Sequence, residues 1–88
     1  KRTYTMYTRE EVEEKCKFAF EEAAAGIDFP EIKPDSKIAL DLEIDSIHIL
    51  ETMIIIEDTF NIALDAEEFQ KATTISDLYD MVERKANA

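Results

Sequence analysis

The sequence predicts an all-α domain with four helical segments, on three observations. Apolar residues recur at three- and four-residue spacing in separate stretches of the chain. Capping residues, Thr8, Asp45 and Thr74, stand just ahead of the long stretches. The one run that alternates every second residue, Ile38, Leu40, Leu42 and Ile44, has no second convincing strand to pair with.

Residues 1–7 show no clear period and read as a flexible N-terminal arm, with residues 8–88 as a single domain. Thr8-Arg9-Glu10-Glu11 has the form of a capping box. Behind it, Val12, Cys16, Ala19, Phe20, Ala23 and Ile27 fall within about a third of the helical circumference, and Gly26 is placed to end the helix at C′. Phe18 lies off that stripe, and the glutamates at 10, 11, 13, 14, 21 and 22 form a solvated face. Cys16 sits inside the stripe and reads as a small buried hydrophobe.

Pro30 and Pro34 rule a helix interior out of the next stretch, so residues 27–44 read as a long loop pinned to the helical core. A loop of that length in a compact domain points to function. The second helix is expected from Ser46 to Phe60 with Asn61 near its end, and Asp45 as N-cap accepting from the N–H of Ile47 or His48. Stepping about 100° per residue, Ile49, Thr52, Met53, Ile56 and Phe60 share one arc and face the core. Ile47, Leu50 and Ile54 fall on another arc, beside Ser46 and among Glu51, Glu57 and Asp58. A small bundle cannot bury both arcs equally, so the second reads as a surface that meets another protein. A short third helix follows at Asp65 to Lys71, anchored by Phe69. The fourth is capped by Thr74 with Asp77 at N3, buries Ile75, Leu78, Tyr79 and Val82, and ends in Glu83-Arg84-Lys85, with the cations at the negative end of the dipole.

Eighty-eight residues with 45 % apolar side chains suffice for one small core, with an expected stability of roughly 4 to 13 kcal/mol. Twenty-one acidic against ten basic residues give a net charge of −11. That charge makes nucleic acid and anionic membranes poor partners and basic protein surfaces good ones. It also repels itself, so added salt is expected to raise the melting temperature, most steeply at low ionic strength; a flat profile would contradict this. A lone cysteine forms no internal disulfide, no charged-then-apolar pattern opens the chain, and the apolar run from Met53 to Ile56 is far too short for membrane insertion. The expected setting is a reducing cytoplasm and the expected state a monomer.

Asp45-Ser46-Ile47 puts a serine hydroxyl at the first turn of a helix, where free N–H groups and the macrodipole favour an anionic substituent. Two chemical readings of this region fail. Ser46 and His48 stand about 200° apart on a helix, so His48 cannot serve as base for a Ser46 nucleophile, and no catalytic residue is assigned. An EF-hand starting at Asp41 would need Gly and Glu where Ser46 and Thr52 stand, so no metal ligand is assigned either.

Asp-Leu-x-x-Asp-Ser-Ile at residues 41–47, followed by Glu51, Glu57-Asp58 and Phe60, resembles the Asp-Ser-Leu region of acyl carrier proteins. Ala72-Thr73-Thr74-Ile75 is similar to the start of that family's last helix, so the resemblance spans roughly Thr8 to Lys85. It implies a four-helix bundle of acyl-carrier type, with the long loop between helices 1 and 2 and the short third helix. It further implies that Ser46 bears 4′-phosphopantetheine, added from coenzyme A by a phosphopantetheinyl transferase, and that acyl chains travel as thioesters on it. Asp45, Ile47, Leu50, Glu51, Ile54, Glu57 and Asp58 would then meet basic docking patches on acyl-processing enzymes of fatty-acid, polyketide or specialised lipid synthesis. An aminoacyl or peptidyl carrier and an unmodified acidic helical adaptor are the alternatives. The sequence departs from the family pattern at Glu43, where Gly is usual, at His48, where an acidic residue is common, and at Thr52, where an apolar one is.

Overall fold

The computed structural model describes residues 6–25, 31–38, 42 and 45–88. The described chain forms four helices: α1 (Arg9–Ala23), α2 (Ser46–Phe60), α3 (Ala66–Lys71) and α4 (Ile75–Ala86). The expectations placed on Gly26, Ile27, Pro30, Leu40, Asp41, Glu43 and Ile44, and on the first five residues of the N-terminal arm, lie outside the described residues.

Each helix starts where a side chain satisfies an N–H that the helix itself cannot. At α1, Thr8 Oγ1 accepts from Glu11 N and Glu11 Oε1 accepts from Thr8 N, which completes the capping box. The same reciprocal pair opens α3, between Asp65 and Glu68. Its Asp-x-x-Glu spacing was present in the sequence, and it moves Asp65 from the expected first turn of the helix to the cap.

The start of α4 accounts for all its donors and shows how the long loop is pinned. Thr74 N donates to Asp77 Oδ2 and Asp77 N to Thr74 Oγ1. Ile75 N and Ser76 N donate instead to the carbonyl oxygens of Ser36 and Pro34, at 2.9 and 2.8 Å. Pro34 occupies the second position of a turn closed by Ser36 N on Lys33 O, where its fixed φ is favourable. An isolated antiparallel bridge, Lys37 to Thr74, lies alongside, with Ile38 N donating to Thr73 O. The loop therefore joins no sheet among the described residues, and it supplies carbonyls that the head of α4 requires.

The core is the interior expected from the apolar stripes. Val12, Cys16, Ala19 and Phe20 of α1 pack with Ile56 and Phe60 of α2, Phe69 of α3, and Ile75, Leu78, Tyr79, Met81 and Val82 of α4. Ile38 and Leu42 close it from the loop. Met81 is the core residue of α4 that the spacing argument left out. Burial pushes the Cys16 thiol up to about 12, against a smaller opposing pull from Arg9, so the thiol is protonated and inert at neutral pH.

Polar contacts tie the helices together at the edges. The Arg9 guanidinium reaches Glu13 on its own helix and Asp80 and Glu83 on α4, and it stacks over the Tyr79 ring at 5.4 Å from the centroid. Lys85 of α4 pairs with Glu68 of α3 at 3.0 Å. Tyr7, the last residue of the expected arm, is held: its N–H donates to Asn87 Oδ1, its carbonyl accepts from Asn87 Nδ2, and its ring meets Phe60 edge-on.

Candidate functional site

Helix α2 carries the candidate site, and its bounds follow from its ends. Asp45 is extended, and its Oδ1 accepts from His48 N at 2.9 Å, so Ser46 is the first helical residue. At the far end Asn61 adopts the left-handed conformation, φ 55°, and its N–H returns to Glu57 O. Asn is among the few residues that take this conformation at modest cost. Glu57 adds a second closure, because its Oε2 accepts from Leu64 N at 2.7 Å and ties the segment after α2 back onto the helix.

Between these ends the two arcs of α2 separate as the spacing required. Thr52, Ile56 and Phe60 are buried, and Ile49 and Met53 are partly buried against the core. Thr52 is accommodated because its Oγ1 donates to His48 O at 2.8 Å, so the hydroxyl enters the core with its hydrogen bond made. On the other arc Ile47, Leu50 and Ile54 are 67 %, 50 % and 53 % exposed. Glu51 and Asp58 beside them are exposed as well. Glu57 is different: it is half-buried, and its carboxylate is engaged by Leu64. Of the expected partner-facing carboxylates, it has a structural role inside the domain.

Ser46 is exposed at the head of the helix. Its N–H has no acceptor among the described residues, while the N–H of His48 is taken by Asp45 and that of Ile49 by the Asp45 carbonyl. A hydroxyl here is open to solvent, next to a free donor and the positive end of a 15-residue helix. An anionic group esterified to it gains about 0.3 to 1 kcal/mol from that field, so the position tolerates a phosphodiester while the surrounding surface is acidic.

His48 and Ser46 are not brought together as a catalytic pair. The His48 Nδ1 donates to Asp45 Oδ1 at 2.7 Å, and no hydrogen bond joins it to Ser46. Sequence reasoning assigned His48 no partner, although its i, i+3 relation to the cap carboxylate was the available signal. The pairing engages the Asp45 carboxylate, so one of the negative groups next to the serine is hydrogen-bonded within the domain.

The hydrogen bond from His48 N, followed by that from the His48 ring, holds the Asp45 carboxyl below its ordinary 3.8. A carboxylate with a lowered folded-state value stabilises the fold above its ordinary range, and that contribution is lost as pH falls through the folded value. Asn caps as well as Asp but cannot titrate. Asp45→Asn is therefore expected to flatten part of the acid limb of melting temperature below about pH 4, measured by circular dichroism; superimposable acid limbs would contradict the assignment. Asp77, lowered by the N–H groups of Thr74 and Thr73, gives α4 a parallel acid sensitivity.

A second feature lies one turn further along α2. A groove of about 330 Å³, mostly apolar, opens between Ile49, the Lys37–Ile38 segment of the loop, and Phe69, Ala72 and Thr73 at the end of α3. Among the described residues no cluster of His, Cys, Asp and Glu is arranged to hold a metal ion. No described helix is long and apolar enough to cross a membrane.

Comparison with known proteins agrees with this geometry. Residues 22–82 match the family described as "Phosphopantetheine attachment site", which takes in the groove, all of α2 and α3, and α4 as far as Val82. The chain is 31 % identical over 74 residues to the acyl carrier protein of Nitratidesulfovibrio vulgaris, covering 84 % of this chain and 96 % of that protein. It is 28 % identical to those of Thermotoga maritima, over 91 % of this chain and 98 % of the relative, and Desulforapulum autotrophicum, over 85 % and 97 %. A four-helix fold with an exposed serine at the head of α2 and a matching phosphopantetheine-attachment domain identify the chain as a member of the acyl carrier protein family.

Proposed function

We propose that Ser46 is the attachment point of the 4′-phosphopantetheine of this carrier, and that the arm delivers acyl groups to the enzymes of a fatty-acid, polyketide or specialised lipid pathway in the cytoplasm. The observation that carries the assignment is the position of Ser46: an exposed hydroxyl on the first residue of α2, with a free N–H and the helix dipole beneath it and Ile47, Leu50 and Ile54 beside it. When bound, the group supplies a thiol that holds the acyl chain as a thioester. The chain's own residues then do two things. They fix the root of the arm, because Asp45 caps the turn from which it leaves. They also guide docking, because Leu50 and Ile54 offer an apolar contact rimmed by Glu51 and Asp58 to a basic surface.

The groove beside Ile49 extends this reading. Its volume and apolar lining suit a short or medium acyl chain in transit, and Ile49 of the core-facing arc of α2 lines it. In this reading the domain serves as a substrate and partner of enzymes, with Ser46 as the arm's root and His48 engaged by Asp45.

Incubation with coenzyme A and a broad-specificity phosphopantetheinyl transferase, followed by intact-mass measurement, tests the proposal. A single phosphopantetheinyl addition is expected, and a folded sample that gains none would favour the unmodified adaptor. On the modified protein, Glu51→Lys is expected to slow acyl transfer by partner enzymes about tenfold while melting temperature stays within a degree or two. A loss of fold instead would place Glu51 in a structural role.

A further inference from the structure

We propose that α1 carries a second protein-docking surface, centred on Phe18, that takes a basic partner with an apolar recess while α2 stays free. Phe18 is 56 % exposed, although it lies within a helix that buries Val12, Cys16, Ala19 and Phe20. Stepping about 100° per residue, it stands roughly 140° around α1 from the centre of that buried arc. The buried arc faces α2 and α4, so Phe18 stands on the side of α1 turned away from them.

The surroundings of the ring give the chemistry of the occupant. Glu14 and Glu22 flank it at i−4 and i+4, Glu21 at i+3 and Glu11 one turn beyond, and all four are exposed. The carboxylates of Glu14, Glu21 and Glu22 have no hydrogen bond or ion pair with any described residue. The cations nearest in sequence, Lys15 and Lys17, leave the net sign of this face negative. A large apolar ring inside a rim of exposed carboxylates is the pattern of an interface anchor, with the carboxylates supplying steering. The same charge argues against a second copy of this chain, which would bring two surfaces of net −11 together, and against an anionic lipid surface. A protein surface with Lys or Arg around an apolar recess satisfies both parts. Because the surface lies on the far side of α1 from α2, such a partner could retain the carrier while Ser46 visits other enzymes, and the proposal stands whether or not Ser46 bears the arm.

The test is an amide-shift titration of the ¹⁵N-labelled chain with a lysine-flanked, leucine-striped helical peptide of about four turns. Two sets of shifts are expected, one around Leu50 on α2 and one spanning residues 14–22 on α1. Phe18→Ser should weaken the α1 set about tenfold and leave the α2 set and the melting temperature unchanged. Glu14→Lys with Glu22→Lys, which keeps the ring, should weaken the same set, and added salt should shrink it. Shifts confined to α2, or an α1 set indifferent to Phe18→Ser and to charge reversal, would overturn the proposal. A concentration-dependent dimer in sedimentation that Phe18→Ser abolishes would overturn it in favour of self-association.

Discussion

Ser46→Ala is expected to abolish phosphopantetheinylation completely while leaving the domain as stable as the parent. The side chain is exposed and makes no hydrogen bond to a described residue, so its loss removes no packing and orphans no partner. The cap of α2 is Asp45, one residue earlier, and it survives the change. The same intact-mass assay should thus report one addition on the parent and none on the variant, with melting curves that overlay. An addition that persists in Ser46→Ala would move the attachment to another hydroxyl. A variant that loses both modification and fold would show that the serine stabilises the helix start.

Two isoleucines on α2, two residues apart, are expected to answer the same substitution in opposite ways. Ile56 is fully buried in the core, and Ile56→Ala should cost about 2 to 5 kcal/mol through lost transfer energy and the cavity left behind. In a domain whose whole stability is roughly 4 to 13 kcal/mol, that lowers the melting temperature by more than about 10 °C. Ile54 is half-exposed, and Ile54→Ala should stay within about 0.5 kcal/mol, since little packing is lost and Ala is the better helix former. Its effect should appear in partner enzymes instead, as slower acyl transfer from a modified protein of parental melting temperature. Equal destabilisation by both changes would mean that the second apolar arc of α2 belongs to the core, and the docking surface would be lost with it.

The parts of the fold that were legible in the sequence are those set by local chemistry. Asp45 and Asn61 bracket α2 because one caps its N–H groups and the other tolerates a positive φ, and both effects act within a few residues. The two arcs of α2 were legible because a 3.6-residue period leaves little choice once the flanking caps are fixed. What was not legible depends on residues far apart in the chain. Nothing in Pro34 or Ser36 announces that their carbonyls will cap Ile75 and Ser76, since that pairing exists only once the loop has docked on α4. Arg9 reads as an exposed first-turn residue until α4 brings Asp80 and Glu83 to it. At the site, the exposed serine and apolar strip were legible from spacing. The engagement of Glu57 by Leu64 was not legible, because it depends on how the segment after α2 folds back, whereas the contact of His48 with Asp45 was signalled by their i, i+3 spacing.

Whether α2 bears the arm is decided by locating the modification on the protein isolated from the cell that makes it, by fragmenting the phosphopantetheine-bearing peptide in a mass spectrometer. The expected result is a single adduct whose mass stays with Ser46 in the fragment series. An adduct on Ser36, Ser76 or any threonine, or a native protein that bears none, would contradict the account of α2 as the root of the carrier arm.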